Sequence, residues 1–147
     1  MNEPADMDHT QQNIQTLTRQ LRLYFSRELV SSNITPSELM ILSELYEKDG
    51  LSQDEIAGLV SVDKAAAART IQSLENKNLV IRKPGQRNYK SKEVFLTAQA
   101  TKLEPEVRRI RQKWVDYVRQ DMSSAQYELF IRQLGQMARR SQELNQK

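Results

Sequence analysis

Apolar residues recur at steps of three and four along most of this chain, which is the period of an amphipathic α-helix. The first stripe, over about residues 10–31, consists of Ile14, Leu17, Leu21, Tyr24, Phe25 and Leu29. Similar stripes lie at 39–46, 103–118 and 127–138. Pro105 falls inside the third stripe, where we expect it to bend the helix or delay its regular start. The pattern predicts a mainly helical chain.

Capping residues indicate where the helices begin. In three capping boxes a hydroxyl residue is followed three positions later by Glu or Gln: Thr35–Glu38, Ser52–Glu55 and Ser123–Gln126. Asp63 is expected to cap another helix, from Lys64 to about Lys77, and Thr97 a long one. The inward face of the first of these would be Ala67, Ile71 and Leu74. Asn78 follows where a left-handed backbone usually ends a helix.

The apolar period changes to two after this helix. Leu79 and Ile81 recur at a step of two, as do Val94 and Leu96, on either side of Pro84-Gly85. This pattern predicts a β-hairpin with a long tip. The segment 82–92 carries five basic residues and no acidic one. Helix, short helix, tight turn, helix and basic hairpin together predict a winged helix-turn-helix, a mainly α fold with a small β-hairpin wing.

Composition and charge narrow the function of this 147-residue chain. Its net charge is +3, but residues 62–92 hold eight Lys or Arg against two Asp or Glu, which favours a polyanionic partner. With no Cys and His9 as the one His, we expect no disulfide, no metal site, no cofactor and no enzymatic activity. The polar start of the chain and the lack of a long apolar run predict a cytoplasmic protein.

The helix at 64–77 is the candidate for major-groove contact, and the wing for contact with the backbone or the minor groove. The predicted DNA-binding residues are Lys64, Ala65, Ala66, Arg69, Thr70, Ser73, Arg87 and Lys90. Arg69 would reach a guanine edge or a phosphate, and the alanines thymine methyl groups. The alternative for Ala65 and Ala66 is that they are simply good helix formers, and for the wing that it is a solvated charged loop.

Residues 34–104 resemble the MarR family of bacterial transcription regulators. The resemblance rests on ITPSELMILSEL, LSQDEIAGLVSVDKAAAARTIQSLENKNLV and the strand VFLT. It implies a homodimer whose terminal helices interlock, a palindromic operator and, in many members, release of DNA by a small ligand. The resemblance also implies how the chain divides: residues 34–97 form the DNA-binding domain, and residues 1–33 and 98–147 form the helical dimerisation region. The terminal stripes also favour a homodimer on their own, because so small a domain cannot bury them.

The chain departs from the family pattern at the wing and the helix-turn-helix turn. Where the family usually has Asp-x-Arg, this chain has Asn88-Tyr89-Lys90, so the ion pair that stiffens many such wings is missing and the wing is expected to be more mobile. Ser61 and Asn78 replace common glycines. These departures keep a second hypothesis open, in which a dimeric protein-interaction adaptor has the winged-helix shape and weak or no specific DNA binding.

A small-molecule effector of unknown identity is the remaining expectation. Its site at the junction of the two regions would use Tyr24, Met40 and Trp114. The alternative for Tyr24 and Trp114, as for Tyr117 and Phe130, is a place in the core or in the dimer seam.

Overall fold

The computed structural model describes residues 5–86 and 88–146, with side chains from residue 9 onward. The helices are α1 (Ala5–Glu28), α2 (Pro36–Glu47), α3 (Gln53–Leu59), α4 (Lys64–Asn76), α5 (Ala98–Val118) and α6 (Ser124–Asn145), with a single 3₁₀ turn at Val30–Ser32. The strands are β1 (Leu51–Ser52), β2 (Val80–Pro84) and β3 (Lys92–Leu96). The predicted fold class, mainly α with a small β-hairpin wing, is confirmed.

The strands form one antiparallel sheet in the order β1-β3-β2. The β2–β3 hairpin, which we call the wing, pairs Val80 with Leu96 and Arg82 with Val94. Strand β1 was not predicted; it pairs Leu51 with Val94 across the other edge of β3. At two residues it is too short to show a period of its own, and its partner is distant in sequence.

The chain divides into two compact units, the first ending at Ile110 and the second beginning at Arg111. Helix α5 therefore starts in the first unit and ends in the second. The first unit contains the core, whose fully buried large side chains include Leu29, Leu39, Leu42, Leu45, Ile56, Ile71, Leu74, Val94 and Ile110. The predicted separation into residues 34–97 and two flanking helical segments remains a prediction.

The helix starts follow the predicted capping. All three capping boxes are formed, at Thr35, Ser52 and Ser123. The Thr97 hydroxyl accepts a hydrogen bond from the Ala100 amide at 3.2 Å, so α5 begins at Ala98 without the delay expected from Pro105. Helix α1 ends three residues before the expected position, because the chain enters the 3₁₀ turn and Asn33 adopts a left-handed backbone (φ 54°).

The step of two from Leu79 to Ile81 does not follow one face of the wing strand. Ile81 is 42% exposed, whereas Val80 is buried. Asn78 has the predicted left-handed backbone (φ 58°), and the Leu79 amide donates to the Leu74 carbonyl. Leu79 therefore belongs to the turn that closes α4. The strand begins only at Val80, which reverses the face on which the alternation starts.

Candidate nucleic-acid interface

Helix α4 is held by one face and exposes another. Ala67, Ile71 and Leu74 are completely buried, as the apolar spacing predicts. Arg69 and Ala65 are exposed on the opposite face, and Lys64 is exposed at the N-terminus of the helix. Because Ala65 is small, the helix is narrow at this point and can approach a DNA groove closely.

The N-terminus of α4 is fixed by its cap. The Asp63 carboxylate accepts a hydrogen bond from the Ala66 amide at 2.7 Å. Ser61, in the turn before it, has a left-handed backbone (φ 55°), the conformation for which Gly is usually selected. Lys64 Nζ lies 3.3 Å from Asp54 Oδ2 on α3, but both side chains are largely exposed, so this ion pair is weak. The Lys64 ammonium can exchange Asp54 for a phosphate.

A buried carboxylate joins α2 to the C-terminal half of α4. Glu38, 1% exposed, accepts hydrogen bonds from the Thr35 amide (2.9 Å), the Ser73 hydroxyl (2.6 Å) and Lys77 Nζ (2.8 Å). Lys77 Nζ also donates to the carbonyl of Asn33 at 2.7 Å. Burial acts to raise the pKa of Glu38, but these hydrogen bonds and the Lys77 charge outweigh burial and hold that pKa below its ordinary value.

Two of the predicted DNA-binding hydroxyls take part in hydrogen bonds within the protein. Ser73 donates to Glu38, as described, and Thr70 donates to the Ala66 carbonyl one turn earlier at 3.1 Å. Both side chains are half-buried. A hydroxyl that has donated its proton can still accept a hydrogen bond, but it offers no donor to a base or a phosphate.

One basic residue of the wing, Arg82, is engaged inside the fold, whereas the exposed Lys83 contacts an aromatic ring at the surface. Arg82 Nη2 donates to Glu75 Oε2 (2.5 Å) and Gln72 Oε1 (2.6 Å), both on α4. The ammonium of Lys83 lies 5.3 Å from the centroid of the Phe95 ring, a cation–π distance. The charge count over 82–92 therefore overstates what the wing offers to a polyanion. Lys90 and Lys92 are exposed.

The described residues of the wing tip, 85–86 and 88–91, are linked by hydrogen bonds. The Gly85 amide donates to the Ser91 carbonyl (2.7 Å), and the Ser91 amide to the Asn88 carbonyl (3.0 Å). Asn88 Oδ1 accepts from the Lys90 amide at 3.1 Å. Gly85 is required, because a Cβ there would lie 2.6 Å from the Asn88 carbonyl oxygen. Asn88 thus shapes the tip through its side chain, the role of Asp or Asn in tight turns.

The tip presents an aromatic ring that the sequence reasoning overlooked. Tyr89 is 85% exposed, next to the exposed Lys90. An aromatic residue amid polar neighbours at the apex of a predicted wing was the signal that could have identified it. Arg87, the other predicted contact of the wing, lies outside the described residues.

The three predicted ligand residues have different environments. Met40 lines a cavity of about 230 Å³ in the first unit, whose other lining residues are Thr18, Leu21, Arg22, Phe25, Pro36 and Ser37. Tyr24 does not line it; its hydroxyl donates to the Ile110 carbonyl at 3.0 Å and its ring contacts Phe25. Trp114 is half-buried in the second unit. Phe25, which the sequence reasoning assigned only to the first stripe, contributes to the cavity wall.

The described residues contain neither a cluster of three potential metal ligands nor a helix long and apolar enough to cross a membrane.

Comparisons with known proteins agree with this geometry. The MarR family model matches residues 34–92. The chain is 32% identical over 82 residues to the HTH-type transcriptional regulator YybA of Bacillus subtilis (strain 168), an alignment covering 56% of this chain and 55% of that protein. The chain thus spans little more than half the length of this curated relative.

Two solved structures are similar along most of the chain. A MarR transcriptional regulator from Methanosarcina mazei Go1 superposes with a TM-score of 0.83 at 26% identity, covering 93% of this chain and 92% of that one. A MarR family transcriptional regulator from Listeria monocytogenes, complexed with a 26mer DNA, has a TM-score of 0.84 at 21% identity, covering 95% and 89%. At that identity the second likeness shows the fold alone.

Proposed function

This chain is a MarR-family winged helix-turn-helix protein with its family domain at residues 34–92, and from that premise we propose that it is a homodimeric transcriptional repressor of a palindromic operator. The observation that carries the proposal is the exposed face of α4, where Lys64 and Arg69 flank small side chains above a fully buried anchor. The Listeria protein of the same fold is bound to DNA in its structure, which supports the same partner here.

In the proposed complex α4 enters the major groove. Arg69 donates to a guanine edge, and Lys64, at the N-terminus of the helix, neutralises a phosphate. Ala65 and Ala66 contact thymine methyl groups, and Thr70 contributes as an acceptor. Ser73 is left out of this set, since its hydroxyl donates to Glu38. With few donors on the helix, part of the sequence preference comes from DNA shape.

The wing supplies the contacts to the backbone. Lys90 and Arg87 bind phosphates or the adjacent minor groove, and these contacts fix the register of α4 without reading sequence. Arg82 does not belong to this set, because Glu75 and Gln72 hold its guanidinium against α4.

The exposed apolar residues of the terminal helices support a homodimer. In α1 these are Ile14, Leu17 and Leu23, and in α6 they are Leu129, Phe130, Ile131, Leu134 and Met137. None of the described residues of α6 is buried within the chain. Apolar surface of this extent is uncommon on monomers, and a second copy would cover it with twofold symmetry.

The proposed effector site is the Met40 cavity. Its walls are mostly apolar, and Arg22 is the charged residue lining it, so the chemistry fits a small aromatic or aliphatic acid. Tyr24 acts in this proposal by orienting α1 through Ile110 rather than by touching the ligand. Trp114, the only tryptophan, provides a fluorescence signal for a screen. In this proposal the ligand releases the repressor from DNA, and the protein acts on the chromosome in the cytoplasm.

The test is selection of sheared genomic DNA by the purified protein at about 150 mM salt, where purely electrostatic binding is weak. Enrichment of a short palindrome near promoters is the expected result. The matched control is the Lys64→Ala/Arg69→Ala double variant, which keeps the buried face of α4 and should enrich nothing. Failure of the dimeric wild-type protein to enrich any sequence would overturn the proposal and favour the protein-interaction adaptor.

A further inference from the structure

Glu38 has more hydrogen-bond partners than its place in the α2 capping box requires. A capping box asks only that the side chain at its third helical position accept from the N-cap amide. In α6 the neutral Gln126 does this for Ser123 at 2.8 Å. Glu38 makes the same contact to Thr35 and in addition binds Ser73 and Lys77 of the α4 segment. The charge at this position therefore serves the contact between α2 and α4.

Stability alone is a weak explanation for a buried charge here. Taking a carboxylate and an ammonium out of water costs free energy that their attraction often fails to recover, and apolar replacements are frequently as stable. What an ion pair with a second hydrogen bond does provide is a fixed geometry. Lys77 strengthens this by also donating to the Asn33 carbonyl, so the end of α4 is attached to the first turn of α2 and to the segment just before it.

The attachment lies far enough from the DNA-reading residues to control their position. Ser73 is nine residues from Lys64 along α4, a distance of about 13 Å at the helical rise. A tilt of about 10° about Ser73 would therefore move the N-terminus of α4 by roughly 2 Å, beyond the roughly 0.5 Å tolerance of a preorganised binding site.

We propose that Glu38 is a positioning residue for DNA recognition, which sets the tilt of α4 through Ser73 and Lys77. This inference rests on the proposed function. It assigns sequence discrimination in part to a side chain that the protein interior hides from DNA, and it gives Ser73 an indirect role instead of a base or phosphate contact.

The main experiment compares Glu38→Gln with the wild-type protein. Glutamine keeps an acceptor for the Thr35 amide, so α2 should still start at Pro36, while the ion pair is lost. We expect affinity for the selected palindrome to fall by about tenfold or more, the scale of one base contact. Affinity for unrelated DNA should not fall, since the substitution removes no phosphate contact. An equal loss for both kinds of DNA would overturn the proposal.

A stability control distinguishes a change in the position of α4 from a general loss of stability. Val107→Ala removes methyl groups from a fully buried site on α5 and should lower the unfolding midpoint by a similar amount. We expect Val107→Ala to keep the ratio of specific to non-specific affinity. If it changes this ratio as much as Glu38→Gln does, the positioning role is refuted.

A double-mutant cycle tests the role of Ser73. If Ser73 acts through Glu38, Ser73→Ala weakens specific binding in the wild-type background and adds little in the Glu38→Gln background. Equal effects in both backgrounds would mean that Ser73 contacts DNA directly, which contradicts the proposal.

A measurement without DNA distinguishes this proposal from the proposed function. Residual dipolar couplings of the α2 and α4 amides in the uncomplexed protein report the angle between these helices. We expect that angle to change or to become heterogeneous in Glu38→Gln. If the wild-type protein selects no DNA sequence, the proposed function fails while the couplings still decide whether Glu38 sets the tilt. An unchanged, well-defined angle would refute that it does.

Discussion

Arg82 of the wing donates its Nη2 hydrogens to Glu75 on α4 at 2.5 Å. The two side chains are each about one quarter exposed, and the contact raises the pKa of Arg82 and lowers that of Glu75. Gln72 shares the same nitrogen at 2.6 Å. Strand β2 of the wing is thus attached to α4, so the two elements that the proposal places on DNA keep a common geometry.

We predict two effects of Glu75→Gln, one from the loss of the ion pair with Arg82 and one from the change in local charge. Loss of the ion pair should lower the free energy of unfolding by no more than about 1 kcal/mol, because the pair is partly solvated. Releasing Arg82 adds a free cation near DNA, so affinity for unrelated DNA should rise and the salt slope should steepen. Urea unfolding and fluorescence anisotropy would measure these effects. Glu128→Gln on α6 removes the same charge far along the chain, and an equal gain in that variant would show that only net charge matters.

The depressed pKa of Glu38 predicts a specific dependence of stability on pH. A carboxyl whose pKa is lower in the folded than in the unfolded state stabilises the fold above its unfolded value, about 4.3, and this contribution is lost as pH falls through the folded value. At pH 7, Glu38→Gln should therefore cost about 1–3 kcal/mol, the range for a buried group that loses a partner. The difference from wild type should shrink in acid. Urea unfolding at pH 7 and pH 3.5 measures it, and an equal difference at both pH values would contradict the prediction.

At the wing, contacts of different kinds should differ in their dependence on salt. Lys90→Ala and Arg87→Ala should each weaken binding to all DNA and reduce the magnitude of the salt slope by about 0.9. Tyr89→Ala should weaken binding with no change in slope, because a neutral ring releases no counterion when it packs against the minor groove. Tyr89→Phe keeps the ring and removes the hydroxyl, and this variant should bind DNA nearly as well as the wild-type protein does. A reduced slope in Tyr89→Ala would mean that the tip, and with it Lys90, had moved.

Arg69 should affect sequence preference as well as affinity. In the proposed complex it reads a base edge, so Arg69→Ala should relax selection at one position of each half-site by about 1–3 kcal/mol. Repeating the genomic selection with this variant gives the preference directly. Lys64→Ala is the comparison on the same helix, since the loss of a phosphate contact lowers affinity for all sequences equally. An unchanged preference in Arg69→Ala would make Arg69 a backbone contact only.

Those parts of the fold that depend on neighbouring residues could be predicted from the sequence. The cap at Asp63, the buried face of α4 and the left-handed Asn78 follow from spacing within a few turns of chain. The face on which Ile81 lies depends on where the preceding turn ends, and that turn includes Leu79, so the apolar spacing did not determine it.

The parts that failed depend on contacts between distant segments. Ser73 is 35 residues from Glu38, and the sequence has no signal that they meet. Arg82 was included among the basic residues of the wing, but its partner Glu75 lies on another element and removes that charge from the binding surface. Charge counts along a sequence cannot distinguish a cation that faces solvent from one engaged within the fold, because only the tertiary structure brings the acid to it.

The assembly can be tested on the outer surface of α6. Leu134 is 37% exposed and lies at a helical step from Phe130, while Leu144, nearer the end of the helix, is 72% exposed. In the proposed dimer Leu134 is covered by the second copy, so Leu134→Glu would bury a carboxylate in an apolar seam. The mass of one chain is 17.1 kDa. Sedimentation equilibrium should give twice this mass for the wild-type protein and the mass of a single chain for Leu134→Glu.

Binding to DNA should follow the assembly. Leu144→Glu introduces the same charge at a more exposed place and should remain dimeric with full affinity for the palindrome. The monomeric Leu134→Glu chain should lose far more affinity for the palindrome than for unrelated DNA, because two half-sites are read together only when two copies are linked. A wild-type monomer at micromolar concentration, or a Leu134→Glu variant that stays dimeric, would remove α6 from the interface.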